Sequence, residues 1–160
     1  MKKIKKLLTV PLLLFCTYVY SQKEQINVLI TVDDIITGSF NLSNGYIQID
    51  NDTIELKYEI GRFNIEQKDF NRLQHEDVEK NVNLCFRYFS NCPTQKNSYY
   101  TLQVKLKLLF QNYLLIRVFN FESYPGVFGK KEEYGFEYDS PLETVRLPKN
   151  GKMKRNPCVK

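Results

Sequence analysis

The 160-residue chain has no tryptophan and no alanine, one histidine, two methionines and seven glycines. Without alanine, the strongest helix former, and with 14 asparagines, 11 tyrosines and 11 phenylalanines, the composition turns away from a helical bundle and toward strands. The lone imidazole, His75 beside Glu76 and Asp77, lies in a polar stretch that reads as solvated, and a zinc site needs three or four ligands. Neither GxSxG nor CxxC occurs, so a serine nucleophile on a strand-to-helix elbow and a redox dithiol are both missing. No cofactor and no metal is expected, and the chain is read as non-enzymatic. Its length allows one compact domain with a processed end.

Long apolar runs are confined to the N-terminus. Residues 1–21 join Lys2, Lys3, Lys5 and Lys6 to an apolar stretch from Leu7 to Tyr20 and then Ser21, with Val19 two positions before it. This is the three-part secretory pattern, and the stretch is too short to span a bilayer comfortably. Cleavage before Gln22 is expected, giving a periplasmic or extracellular protein with no transmembrane segment. Lipidation at Cys16 is the minor alternative, since bulky Phe15 precedes it. An apolar core ending in Ser21 and Gln22 resembles exported proteins of the Bacteroidetes.

The net charge of +5 comes from 23 basic and 18 acidic side chains. Loss of the four signal lysines leaves 19 basic side chains, a mature charge of +1. Residues 22–148 hold 14 basic and 18 acidic groups, whereas the tail 149–160 holds Lys149, Lys152, Lys154, Arg155 and Lys160 with no acid. An acidic body speaks against nucleic acid as partner. The tail suits a solvated terminus or contact with an anionic surface through Lys152, Lys154 and Arg155.

Period-two alternation dominates the mature chain, as in strands with one face on a core. It runs through Ile26, Val28, Ile30 and Val32; Ile54, Leu56, Tyr58 and Ile60; Val82, Leu84, Phe86 and Tyr88; and Tyr100, Leu102, Val104 and Leu106. Shorter candidates cover 35–40, 46–49, 134–138 and 144–147, with turn signals between, Asn44 with Gly45 among them. A helix is expected over Asn64 to Leu73, capped by Asn64. The expectation is an all-β fold: an antiparallel β-sandwich, Ig-like or transthyretin-like, of seven to nine short strands with one short helix, over residues 22–148.

Tyr113 to Phe121 is apolar on both faces, with Leu114, Ile116 and Val118 on one and Tyr113, Leu115, Arg117, Phe119 and Phe121 on the other. Either the short helix covers the second face, or that face docks a partner or a second copy of the chain. Of the mature cysteines, Cys85, Cys92 and Cys158, the favoured pair is Cys92 with Cys158. Their bridge would contribute on the order of 4 kcal/mol in the chain-entropy model; Cys85 with Cys92 is the alternative.

Asp33 with Asp34, Asp50 with Asp52, and Glu132 with Glu133 are the acidic pairs, and they read as turns and solvated edges. Asp50 to Asp52 lacks the glycine and terminal glutamate of an EF-hand loop. Asp52, Thr53 and Ile54 resemble the short tripeptide that Bacteroidetes O-glycosylate. Tyr99, Tyr124 and Tyr138 are candidate exposed rings, while Tyr46, Tyr58, Tyr88 and Tyr100 fall on core faces. Two functions are therefore in view. The first is an exported interaction module, an inhibitor or immunity protein, acting on another protein or on itself. The second is a small cell-envelope glycan-binding or hydrolytic domain using loop carboxylates and exposed tyrosines.

Overall fold

The alternating pattern sorts side chains into two layers. In β5 (Asp52–Glu59), Ile54, Leu56 and Tyr58 are buried while Thr53, Glu55, Lys57 and Glu59 face solvent. The computed structural model describes residues 23–90, 98–124 and 133–148. The export signal with Cys16, the thiols of Cys92 and Cys158, Glu132, and the tail with Lys152, Lys154 and Arg155 lie outside those residues.

Six strands form the first sheet, in the order β1 (Lys23–Ile26), β6 (Arg62–Glu66), β5, β4 (Leu42–Ile49), β7 (Asn81–Tyr88) and β8 (Ser98–Lys105). The second orders β11 (Thr144–Val145), β10 (Tyr134–Asp139), β9 (Leu114–Asn120), β2 (Val28–Val32) and β3 (Ile35–Ile36). The protein is an all-β, sandwich-like fold with two short helices, α1 (Gln67–Gln74) and α2 (Leu106–Leu109). One buried cluster draws Ile47, Leu84, Phe86 and Leu102 from the first sheet and Ile30, Ile116 and Val118 from the second. Burial is worth about 1.5–3 kcal/mol for each large apolar side chain, so this shared layer is the main favourable term.

Several details differ from the pattern-based expectation. The run from Ile26 to Val32 alternates without a break, and Ile26, Val28, Ile30 and Val32 are all buried. It nevertheless serves two sheets, parting at Asn27. Asn27 Nδ2 donates to the Asn112 carbonyl (3.2 Å), and the Leu114 amide donates to the Asn27 carbonyl (2.9 Å). Beyond that corner β2 lies parallel to β9, with Ile30 opposite Ile116; the other strand pairings among the described residues are antiparallel.

The helix starts two residues later than a cap at Asn64 implies, its cap position being Glu66. Asn64 and Ile65 continue β6, because Ile65 is buried and pairs with Glu24 of β1. Phe70 of α1 then meets Phe110 edge-on at 5.7 Å. Asn44 and Gly45 sit not in a turn but at a bulge within β4, Asn44 having φ +50°. A Cβ on Gly45 would lie 3.2 Å from the Leu56 carbonyl oxygen and 3.3 Å from Phe63 Cε1, so the close approach of β5 requires glycine there.

The edge of β8 is covered. The Tyr134 hydroxyl accepts the Thr101 amide (2.9 Å) and donates to the Thr101 carbonyl (3.0 Å), satisfying both edge groups of that residue. The Tyr134 ring meets Tyr100 edge-on at 4.9 Å.

The Tyr100 hydroxyl donates to Asn120 Oδ1 (2.8 Å), and burial pushes its pKa up to about 12. In the unfolded chain a tyrosine titrates near 10. The folded state therefore holds the proton more tightly. Its stabilising contribution is complete below about pH 10 and disappears as the pH rises through about 12. Chemical denaturation should show stability falling across that window. Tyr100→Phe should lose about 1 kcal/mol at neutral pH, with a shallower alkaline fall.

Candidate functional site

The doubly apolar strand is β9, and its second face is covered, though not by the helix. The α1 helix packs beside β6 and β1. Phe119 is buried against Tyr124, the rings edge-on at 5.7 Å, with Phe121 and Leu147 packed around them. Gly135 makes room, since a Cβ there would stand 2.8 Å from Phe121 Cζ and 2.9 Å from Leu147 Cδ1. Leu115 and Arg117 are half-buried, and only Tyr113, just before the strand, is exposed. Phe119 therefore packs inside the fold, with Phe121 half-buried against it. Glu137, which the alternation did not single out, anchors this cover: its Oε1 accepts the Leu147 amide (3.2 Å), and Arg146 Nη1 stands 3.7 Å from Oε2.

Two of the three acidic pairs, Asp33 with Asp34 and Asp50 with Asp52, are engaged within the fold. Asp33 and Asp34 form the two-residue turn between β2 and β3, both with positive φ (51° and 66°), the mirror-image turn that hairpin twist favours. Asp33 is fully buried. Its Oδ1 accepts the Asn120 amide (2.8 Å), and its Oδ2 accepts Asn120 Nδ2 (3.0 Å) and the Ser123 hydroxyl (2.8 Å). Tyr124 donates to Asp34 (3.1 Å); burial first, then the two aspartates, push the Tyr124 pKa up. Asp50 pairs with Lys80 (2.6 Å), which also reaches Glu76 (3.2 Å), and Asp52 pairs with Arg72. His75 is exposed at the end of α1, with Nδ1 2.7 Å from the Asn71 carbonyl. Among the described residues no group of three metal-binding side chains comes together, and no helix is long and apolar enough to cross a membrane.

Cys85 is a free thiol buried in β7, its Sγ 3.7 Å from Thr101 Oγ1, so the Cys85 bridge is not formed. Of the tyrosines expected to be exposed, Tyr99 is, Tyr138 is half-buried and Tyr124 is buried. Tyr46, assigned to the core by alternation, faces outward, because the bulge at Ser43 to Tyr46 resets the phase of β4.

The exposed apolar surface lies elsewhere. Ile36 is 59% exposed, Phe40 96% and Ile60 65%. Ile60 belongs to the turn between β5 and β6 rather than to a strand, and Gly61 beside it has φ +83°. Phe40 lies in the loop that crosses from β3 to β4. The two segments meet: a Cβ on Gly38 would lie 4.0 Å from Ile60 Cδ1. They are tied by the Tyr58 hydroxyl, which accepts the Ile30 amide (3.3 Å) and the Gly61 amide (3.5 Å) and shares a 3.2 Å hydrogen bond with the Thr37 hydroxyl. Phe40 is clamped from its other side. Asn41 Nδ2 donates to the Phe89 carbonyl (2.9 Å), the Phe89 amide donates to the Asn41 carbonyl (2.7 Å), and the Asn41 amide donates to the Gly38 carbonyl (3.0 Å). The expected strand over 35–40 concealed this, because β3 ends at Ile36 and leaves Phe40 in the loop.

No family model, no curated protein and no solved structure matches the chain.

Tyr58→Phe should destabilise by about 1–3 kcal/mol in urea denaturation, because the buried Ile30 amide loses its acceptor. Asp33→Ala should cost roughly 2–4 kcal/mol, given hydrogen bonds to a charged group of about 1.5–3 kcal/mol each and the donors left without it. Near-native stability of the alanine variant would contradict that role.

Proposed function

We propose that the protein is an exported, non-enzymatic β-sandwich that works by contact with another protein, docking through Ile36, Phe40 and Ile60. The observation that carries this reading is Phe40: a large apolar ring 96% exposed on a loop held at both sides by backbone hydrogen bonds. Leaving such a ring in water forgoes about 1.5–3 kcal/mol of burial. A loop already ordered around it loses little entropy on docking. Scattered single apolar residues are ordinary on protein surfaces, but here two segments converge on one end of the sandwich. The engagement of Asp33, Asp50 and Asp52 in internal hydrogen bonds and ion pairs favours a binding role over acid–base hydrolysis. An inhibitor or immunity protein fits this mode, since such proteins act through a rigid projecting surface.

A photo-reactive phenylalanine analogue at position 40, in cells that export the protein, tests the proposal. One dominant adduct is expected, and an adduct of twice the chain mass would identify a second copy as the partner. Ile60→Asp should abolish it while leaving the melting temperature unchanged, with affinity for the captured partner falling at least ~30-fold, the effect of a hot-spot loss of about 2 kcal/mol. No adduct, or one indifferent to Ile60→Asp, overturns the proposal.

A further inference from the structure

A second surface, chemically opposite to the apolar tip, lies on the outer face of the six-stranded sheet. Strand register sets Thr53, Gln48, Asn83 and Gln103 side by side across β5, β4, β7 and β8. The next row on the same face sets Glu55, Tyr46, Cys85 and Thr101 across β5, β4, β7 and β8. These side chains point away from the core because Ile47, Ile49, Leu84, Leu102 and Val104, which alternate with them, are buried, although Cys85 is itself covered on this face. With strands about 4.8 Å apart, the first row is a line of uncharged polar groups about 15 Å long. Thr53 and Gln103 are exposed and Gln48 and Asn83 half-buried, and among the described residues no hydrogen bond engages the three side-chain amides. At one end Tyr99, half-exposed, shares a hydroxyl hydrogen bond with Tyr46, which fixes both rings on the platform.

We infer that this face binds an extended neutral glycan, with Gln48, Asn83 and Gln103 hydrogen-bonding its hydroxyls and Tyr99 packing against a sugar ring. Each amide offers both a donor and an acceptor, as a polyhydroxylated chain does. An apolar protein surface would instead bury these amides without partners, at about 1–3 kcal/mol each. An anionic polymer would find few free cations here: Lys105, one row from Gln103, stands 3.5 Å from Glu79, and Arg87, opposite Tyr99, lies over the Phe89 ring at 4.8 Å. The inference is independent of the docking tip, and Phe40→Asp separates the two.

Titration calorimetry of the mature protein with cellohexaose and with chitohexaose is the test. At least one should bind with a dissociation constant of about 1 mM or lower. The double variant Gln48→Ala with Asn83→Ala, and separately Tyr99→Ala, should weaken binding at least ~10-fold, whereas Phe40→Asp should bind as the parent does. Side-chain amide signals of Gln48 and Asn83 in the NMR spectrum should shift on titration, a readout that does not depend on the variants folding. If neither hexasaccharide binds at ~5 mM, or if the variants bind as the parent does and those signals stay still, the inference is wrong.

Discussion

The corner at Asn27 is the constraint from which the rest of the architecture follows. One alternating run leaves the six-stranded sheet after Ile26 and enters the five-stranded sheet at Val28, keeping Ile26 and Val28 both in the core. Strands that change sheets at a bend are how two layers share one hydrophobic interior. Here the bend also brings β2 beside β9, which is separated from it by more than 80 residues, and parallel pairing at that separation needs a long crossover. The intervening chain, from β3 through α2, supplies both the hairpin partner of β2 and almost all of the first sheet.

That junction is sealed by polar groups rather than by apolar ones. Asp33, placed by the hairpin turn, accepts from the backbone and side chain of Asn120 and from Ser123, and Asn120 in turn accepts from Tyr100. A buried carboxylate costs a great deal unless its oxygens are satisfied. With them satisfied, it ties the end of β2 to the end of β9. Tyr58 plays the matching part on the other side of β2, joining the Ile30 amide, Thr37 and Gly61. These hydroxyl and carboxylate contacts hold the connecting segments in place, and the apolar tip rides on those segments.

The molecule therefore carries two surfaces of opposite character. At one end Ile36, Phe40 and Ile60 stand in water on braced backbone. Across the outer face of the larger sheet, a row of amides with hydroxyls and tyrosine rings beside it lies between charged side chains such as Glu55 and Lys105. Projecting apolar groups gain by desolvation against a complementary pocket, whereas a polar field gains only from a ligand able to satisfy it. On the doubly apolar strand, Tyr124, Phe121 and Leu147 fold over Phe119.

Strand identity and most of the core were legible in the residues, since inward positions such as Ile54, Leu84, Leu102 and Val104 announce themselves by alternating with polar neighbours. Alternation reports which face a side chain takes relative to its neighbours, not which sheet the strand joins. Hence the Asn27 corner and the parallel pair were invisible. The bulge that turns Tyr46 outward was equally hidden, because one inserted residue inverts the phase without leaving the strand. The tip was unreadable for a different reason: Ile60 and Phe40 look like core residues in sequence, and only the turn and loop that carry them leave them in water. Composition and periodicity determined that this chain would form half-buried strands around an aromatic and aliphatic core. Tertiary structure alone decided which apolar side chains that core had room to enclose, because enclosure depends on contacts between strands far apart in the chain.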